Sequence, residues 1–387
     1  MDKDYNSYVS ILNENIFTAN INKHFIKILK NDLDESIKKM KQLIKEKNYN
    51  MKICSKNSKN INSYYFPKEY KNKISLCKHC ITYTCVINER NIKIEFNTDT
   101  TSMNFLYNCF KKICTWLYIV DKYGTGKCSN NLTISFYFFD FLKELPSNNI
   151  KIIDVENVNT AYASVCAPNG EIVIYRKEEW FKVFIHETFH AYGLDFGVIE
   201  SNQIRKNLKH IIDIDSKMYV FETYTETWAT MWYICFSVYD TNEELDMENF
   251  YNYYLYYLSI EQLHGVIQSI KILNWMNMKY KDLISNNKIS REIKKQYKEN
   301  TNVFNYYILK TVFLLNINDF LYYCKTYNNK LLNFKSTPKE INIFSKLIIK
   351  WLISNKVQKS FIHGEKILND KKINNYYLNK SLRMTIV

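Results

Sequence analysis

Glycine and proline are nearly missing. Seven glycines and four prolines in 387 residues leave too few tight turns for an all-β chain of short strands. Long helices with a modest sheet are expected instead. Arginine is scarce as well, confined to Arg90, Arg176, Arg205, Arg291 and Arg383, so lysine carries almost all of the net charge of +14. Those lysines are scattered among Asn, Ile and Tyr, with no Arg-rich block and no groove-reading motif. Nucleic acid is therefore not expected as the primary partner. No stretch reaches the roughly 20 predominantly apolar residues of a membrane-spanning helix. The most apolar run, 303–324, is interrupted by Asn305, Lys310, Asn316, Asn318 and Asp319 and reads as a buried helix. The opening MDKDYNSYVS has neither the basic start nor the apolar core of a signal peptide. An intracellular protein that is not secreted is expected, with its ten cysteines as reduced thiols.

What is abundant is apolar and aromatic side chain, 46% and 16% of the chain, enough to build sizeable cores. Residues 1–80 are polar and Lys/Asn-rich, with short amphipathic stretches, and read as a helical N-terminal region. ITYTCVINERNIKIEFNT (81–98) alternates about Asn88–Asn91 and reads as a β-hairpin. MNFLYNCFKKICTWLYIVDKYG places Phe105, Leu106, Cys109, Phe110 and Ile113 at helical spacing and stops at Gly124. NLTISFYFF (131–139) and GEIVIYR (170–176) read as strands, and from Lys177 onward the pattern is mainly helical. The expected class is α+β, with an N-terminal α/β lobe followed by a mostly helical C-terminal lobe. The expected divisions are 1–80, 81–270 and 271–387.

Two of only seven histidines stand four positions apart in FKVFIHETFHAYGLD (181–195). On a helix, His186 and His190 share one face one turn apart, and Gly193 supplies a stop signal. Zinc takes imidazole nitrogens in this arrangement, and Glu187 beside them suits a general base acting on a water that the metal activates. By chance, an H-E-x-x-H in such a chain is on the order of a one-in-a-hundred event. The competing interpretation is a buried helix with two satisfied histidines. Cys77-Lys-His-Cys80, with Cys54 before it and Cys85 after, is a second metal candidate. It lacks the second close pair of ligands that structural zinc sites show.

A catalytic zinc takes a third protein ligand and keeps an open position. Phe196 stands where one known extension of the motif needs a histidine, so the ligand must come from elsewhere. MYVFETYTETWATMWYICF (218–236) offers Glu222 and Glu226 at i, i+4, with Ala229 small enough to let this helix approach the first. Carboxylates on so aromatic a helix are costly unless paired or metal-bound. Asp195, Glu200 and His210 are the fallback ligands. His264, Tyr224 and Tyr233 are candidates to steady an oxyanion.

His186–His190 followed by Glu222-Thr-Tyr-Thr-Glu226 resembles the gluzincin group of zinc metallopeptidases. The wider texture around GEIVIYRKEEWFKVFIHETFHAYGLDF is similar to metalloproteases of large DNA viruses of protists. The resemblance covers roughly residues 170–236. It implies a zincin-like fold with an edge strand, 171–176, just before the active-site helix. It also implies one zinc ion per chain, Glu222 as third ligand, and Glu226 as the acid supporting His186. The sequence leaves open which of the two glutamates plays which part. The implied activity is hydrolysis of a peptide or protein substrate, in a host cytoplasm or a virion if the chain is viral. The alternative is a zincin-fold structural or binding protein, such as a virion component, without peptidase activity.

Overall fold

The computed structural model describes residues 3–55, 63, 65–74, 77–98, 102–148, 152–369 and 374–387. Six strands form one open mixed sheet in the order β1-β2-β3-β4-β6-β5. The strands are β1 (Tyr49–Ser55), β2 (His79–Ile87), β3 (Arg90–Thr98), β4 (Asn131–Phe139), β5 (Ala161–Ala163) and β6 (Asn169–Arg176). The expected hairpin is β2–β3, antiparallel and closed between Ile87 and Arg90. Its turn holds Asn88 at φ 51°, a left-handed conformation that asparagine tolerates better than most residues. β3, β4 and β6 then run parallel, joined by crossovers long enough to reverse direction.

The helix over Met103–Tyr123 ends at Gly124, as the spacing predicts. The glycine is in extended backbone there, so its role is steric. A Cβ at Gly124 would lie 2.8 Å from Cδ1 of Tyr192. From Trp180 onward the described chain is helical apart from its connections and isolated bridges. The first ligand helix is Trp180–Ala191, the second Val220–Thr241, and Met247–Trp275 is the longest of the bundle. The apolar run 303–324 is buried, as expected, but it is not one helix. A π-helical turn (Phe304–Leu309) leads into Lys310–Leu315, and Asn316 separates these from Ile317–Tyr327. Among the described residues no helix is long and apolar enough to cross a membrane.

The mixed class and the helical second half agree with the α+β expectation. The stretches 1–80, 81–270 and 271–387 contribute to one main hydrophobic core, which runs from Ala19 and Leu29 through Ile94 and Trp116 to Phe313 and Met384. Three expectations are corrected. The stretch 1–80 is not helical throughout, because Tyr49–Ser55 forms β1 and pairs antiparallel with β2. The strand over Glu171–Arg176 is not at the edge: β5 pairs antiparallel with β6, Tyr162 opposite Val173, and takes the edge position itself. The cysteines are not all free thiols either. Cys128 and Cys166 form a disulfide, because both their loops dock at the end of the first ligand helix. Cys166 N donates to His190 O at 3.0 Å and Ser129 Oγ to Ala191 O at 2.8 Å, leaving the two Cα atoms 4.5 Å apart. The other eight cysteines form no disulfide among the described residues.

Candidate metal centre

The first ligand helix begins without a side-chain cap. Glu179 at its N-terminus has φ 58° and turns its carboxylate away from the helix, onto the backbone of Met384 and Thr385. The helix closes in a Schellman motif. Gly193 at φ 63° donates to His190 O and Leu194 N to Phe189 O, the pairing that a left-handed residue after the last turn allows. All of its residues from Phe181 to Ala191 are buried. Trp116 anchors it by donating Nε1 to Thr188 Oγ1 at 2.7 Å and stacking on Phe189. The same Trp116 meets Trp232 edge-on at 5.4 Å, which sets the second ligand helix against the first. Ala229 is fully buried there.

This packing brings together residues distant in sequence. His186, His190 and Glu222 form a buried group that could hold a metal ion. His186 Nε2 lies 3.1 Å from His190 Nε2 and 3.1 Å from Glu222 Oε2, and His190 Nε2 lies 3.6 Å from the same oxygen. Donors placed tetrahedrally around zinc at 2.0–2.1 Å are about 3.3 Å from one another. The three atoms therefore already stand near the corners such an ion would occupy. The three residues are only 4–8% exposed, a dry setting that strengthens any charge placed among them.

Each ligand has a partner behind it, as metal-binding side chains require for orientation. Asp195 Oδ2 lies 2.6 Å from His190 Nδ1. Glu226 Oε1 lies 3.3 Å from His186 Nδ1, within ion-pair reach but short of a well-formed hydrogen bond. Asn302 Nδ2 donates to Glu222 Oε1 at 3.1 Å. Burial pushes Glu222 up, but hydrogen bonds from both histidines outweigh it and hold the carboxyl at about 2. Burial likewise opposes Glu226, yet the Lys182 charge and His186 keep it well below the ordinary range. Against burial, Asp195 and Glu222 raise His190 well above the usual imidazole value, and Glu222 and Glu226 raise His186. The carboxylates thus favour positive charge on or between the two imidazoles, whether as protons or as a metal ion. Glu187, buried beside it, is pushed up by desolvation with the two imidazoles pulling the other way.

The three residues expected to bind metal thus converge, and Glu226 stands where a supporting acid would. Asp195, weighed in the sequence only as a ligand, backs His190 instead. Glu200 accepts from Gly197 N at the start of the next helix, and His210 is exposed. The three oxyanion candidates are not placed at the centre by any contact. His264 is buried between Tyr8 OH and Arg383 O. Tyr224 donates to Leu332 O at 2.9 Å. Tyr233 lines a cavity of about 450 Å³ with Glu179 and Arg383. Two aromatic rings stand beside the centre, Phe221 edge-on to His190 at 5.9 Å and Tyr306 edge-on to His186 at 6.0 Å, and of the two only Tyr306 carries a hydroxyl. It was missed because the π-helical turn that aims it has no periodic signal in sequence; a tyrosine in a buried aromatic run looks like core. Among the described residues His186, His190 and Glu222 are the only metal-suited group, so Cys77 and Cys80 do not make a second. Compared with known proteins, the chain matches no family model, no curated protein and no solved structure.

Proposed function

We propose that the protein is a zinc-dependent peptidase of gluzincin type on a zincin-like fold. The observation that carries this is the spacing of His186 Nε2, His190 Nε2 and Glu222 Oε2, 3.1–3.6 Å apart, with a buried carboxylate, Glu187, next to them in the chain. A zinc ion bound there would supply a Lewis acid and a water acidified to near neutrality. Glu187, its proton affinity raised by burial, is the general base: it accepts the proton of the attacking water on its carboxylate and passes it to the departing amine. The hydroxyl of Tyr306, whose ring stands against that of His186, is the candidate donor to the developing oxyanion. The edge role expected of 171–176 passes to β5, which packs against the first ligand helix and among the described residues has no strand on its outer side. An extended peptide substrate would add there as a further strand.

The test is metal analysis and peptide-library cleavage on wild type and Glu187→Gln. The variant should keep one zinc per chain and the fold, and lose turnover by about 10²–10⁴-fold. Undiminished turnover would assign the base elsewhere. A wild type that holds zinc but cleaves no peptide would be a structural or binding protein on this fold.

A further inference from the structure

Behind His186 lies a second buried charge that the metal chemistry does not require. Lys182, one turn before His186 on the same helix, is wholly shielded from solvent. Its ammonium pairs with Glu226 Oε2 and donates to the Met384 sulfur at 3.6 Å, a weak acceptor, with the charges of Glu179, Lys143 and Lys310 also in reach. Glu226 therefore divides its two oxygens: Oε2 to Lys182 and Oε1 toward His186 Nδ1 at 3.3 Å. Met384 is itself fixed in place. Glu179 accepts from Met384 N at 3.1 Å and Thr385 N at 2.6 Å, and Lys310 Nζ donates to Met384 O at 2.8 Å. Glu179 is in turn held by Lys143 at 2.7 Å.

Stability alone does not account for such a pair. Well-packed apolar residues in place of a buried ion pair are commonly neutral or stabilising. The pair's position does account for it, because a free Glu226 carboxylate could rotate off the imidazole it backs. His190 provides an internal contrast, since Asp195 approaches its Nδ1 at 2.6 Å with no lysine in ion-pair reach among the described residues.

We infer that Lys182 is a positioning residue of the metal centre. Its ammonium holds Glu226 in the orientation that faces His186 Nδ1, and the Met384–Thr385 segment closes the other side of that ammonium. This rests on the metal centre proposed above and adds to it the element that orients one of the two histidines.

The experiment uses the full-length chain with zinc as the probe. Lys182→Met keeps the length of the side chain and its contact with Met384 while removing the charge. Its zinc dissociation constant should rise about 10–100-fold, the usual cost of losing an outer support. In histidine-labelled zinc-loaded protein, the His186 Nδ1–H resonance should shift or broaden while that of His190 stays in place. Glu226→Gln should weaken zinc binding comparably, and Lys182→Met/Glu226→Gln should bind no more weakly than Glu226→Gln alone. Multiplied losses in the double variant, or unchanged affinity in Lys182→Met, overturn the inference and leave the metal centre standing. If Lys182→Met does not fold, the double variant against Glu226→Gln decides the matter in the same way. A wild type that binds no zinc overturns the centre and the inference together.

Discussion

Both histidines of the centre present Nε2 to a common point and have a carboxylate at Nδ1. That division assigns different costs to different substitutions. His186→Ala and His190→Ala should each abolish stoichiometric zinc binding, because two protein ligands do not hold the ion in a closed site. Glu222→Ala should cost more zinc affinity than Glu226→Ala, and Asp195→Asn should weaken binding about 10–100-fold. Competition titrations against a chelator of known affinity measure all of these. A larger loss for Glu226→Ala than for Glu222→Ala would exchange the roles of the two glutamates. At this scale the candidate metal-binding group was legible, because a helix fixes i, i+4 geometry for His186 and His190 and again for Glu222 and Glu226. The place of Asp195 behind His190 and that of Tyr306 were not. The first reaches His190 only because a left-handed Gly193 turns the chain back, and the second depends on a helix from the far end of the sequence.

Among the elements, those defined by local periodicity were read closely: the β2–β3 hairpin, the helix ending at Gly124, the strands over 131–139 and 169–176, and both ligand helices. β5 was not, since three residues, Ala161–Ala163, carry no alternation that exceeds chance. Missing it put the wrong strand at the edge. The stop at Gly193 makes a quantitative prediction. A Cβ at φ 63° is strained, and it would also lie 3.0 Å from Cys128 Sγ and 3.3 Å from Cys166 Sγ. Gly193→Ala should lower unfolding free energy by about 1–3 kcal/mol. Gly126→Ala, where a Cβ meets nothing within 4 Å, should change it by no more than about 0.5 kcal/mol. Denaturant titration of the two variants gives the comparison. Equal effects would mean that the left-handed closure carries no strain.

For the whole molecule, composition excluded the all-β classes correctly but was silent on how distant segments join. The clearest case is Glu299, an ordinary polar position in the sequence that proves partly buried with its carboxyl turned into the protein. It ties three elements together: Ser216 Oγ donates to its Oε1, while Tyr297 OH at 2.8 Å and Phe304 N at 2.7 Å donate to Oε2. Phe304 opens the π-helical turn that carries Tyr306, so this carboxyl caps one wall of the candidate centre. Burial is the largest influence on it and, with Asp215 nearby, outweighs the three hydrogen bonds and raises it from 4.5 to about 7. The folded chain therefore holds this proton over a range where the unfolded chain has released it. Folding stability from this group is fully present below about pH 4.5 and is lost as pH rises toward 7. The loss at full ionisation is on the order of 3 kcal/mol. Glu299→Gln keeps the shape without the charge, so unfolding free energy measured for both proteins from pH 4.5 to 8 isolates the effect. The wild type should fall relative to the variant across that window and then level off. A difference that is flat, or that rises with pH, would show that the carboxyl is ionised in the folded protein throughout.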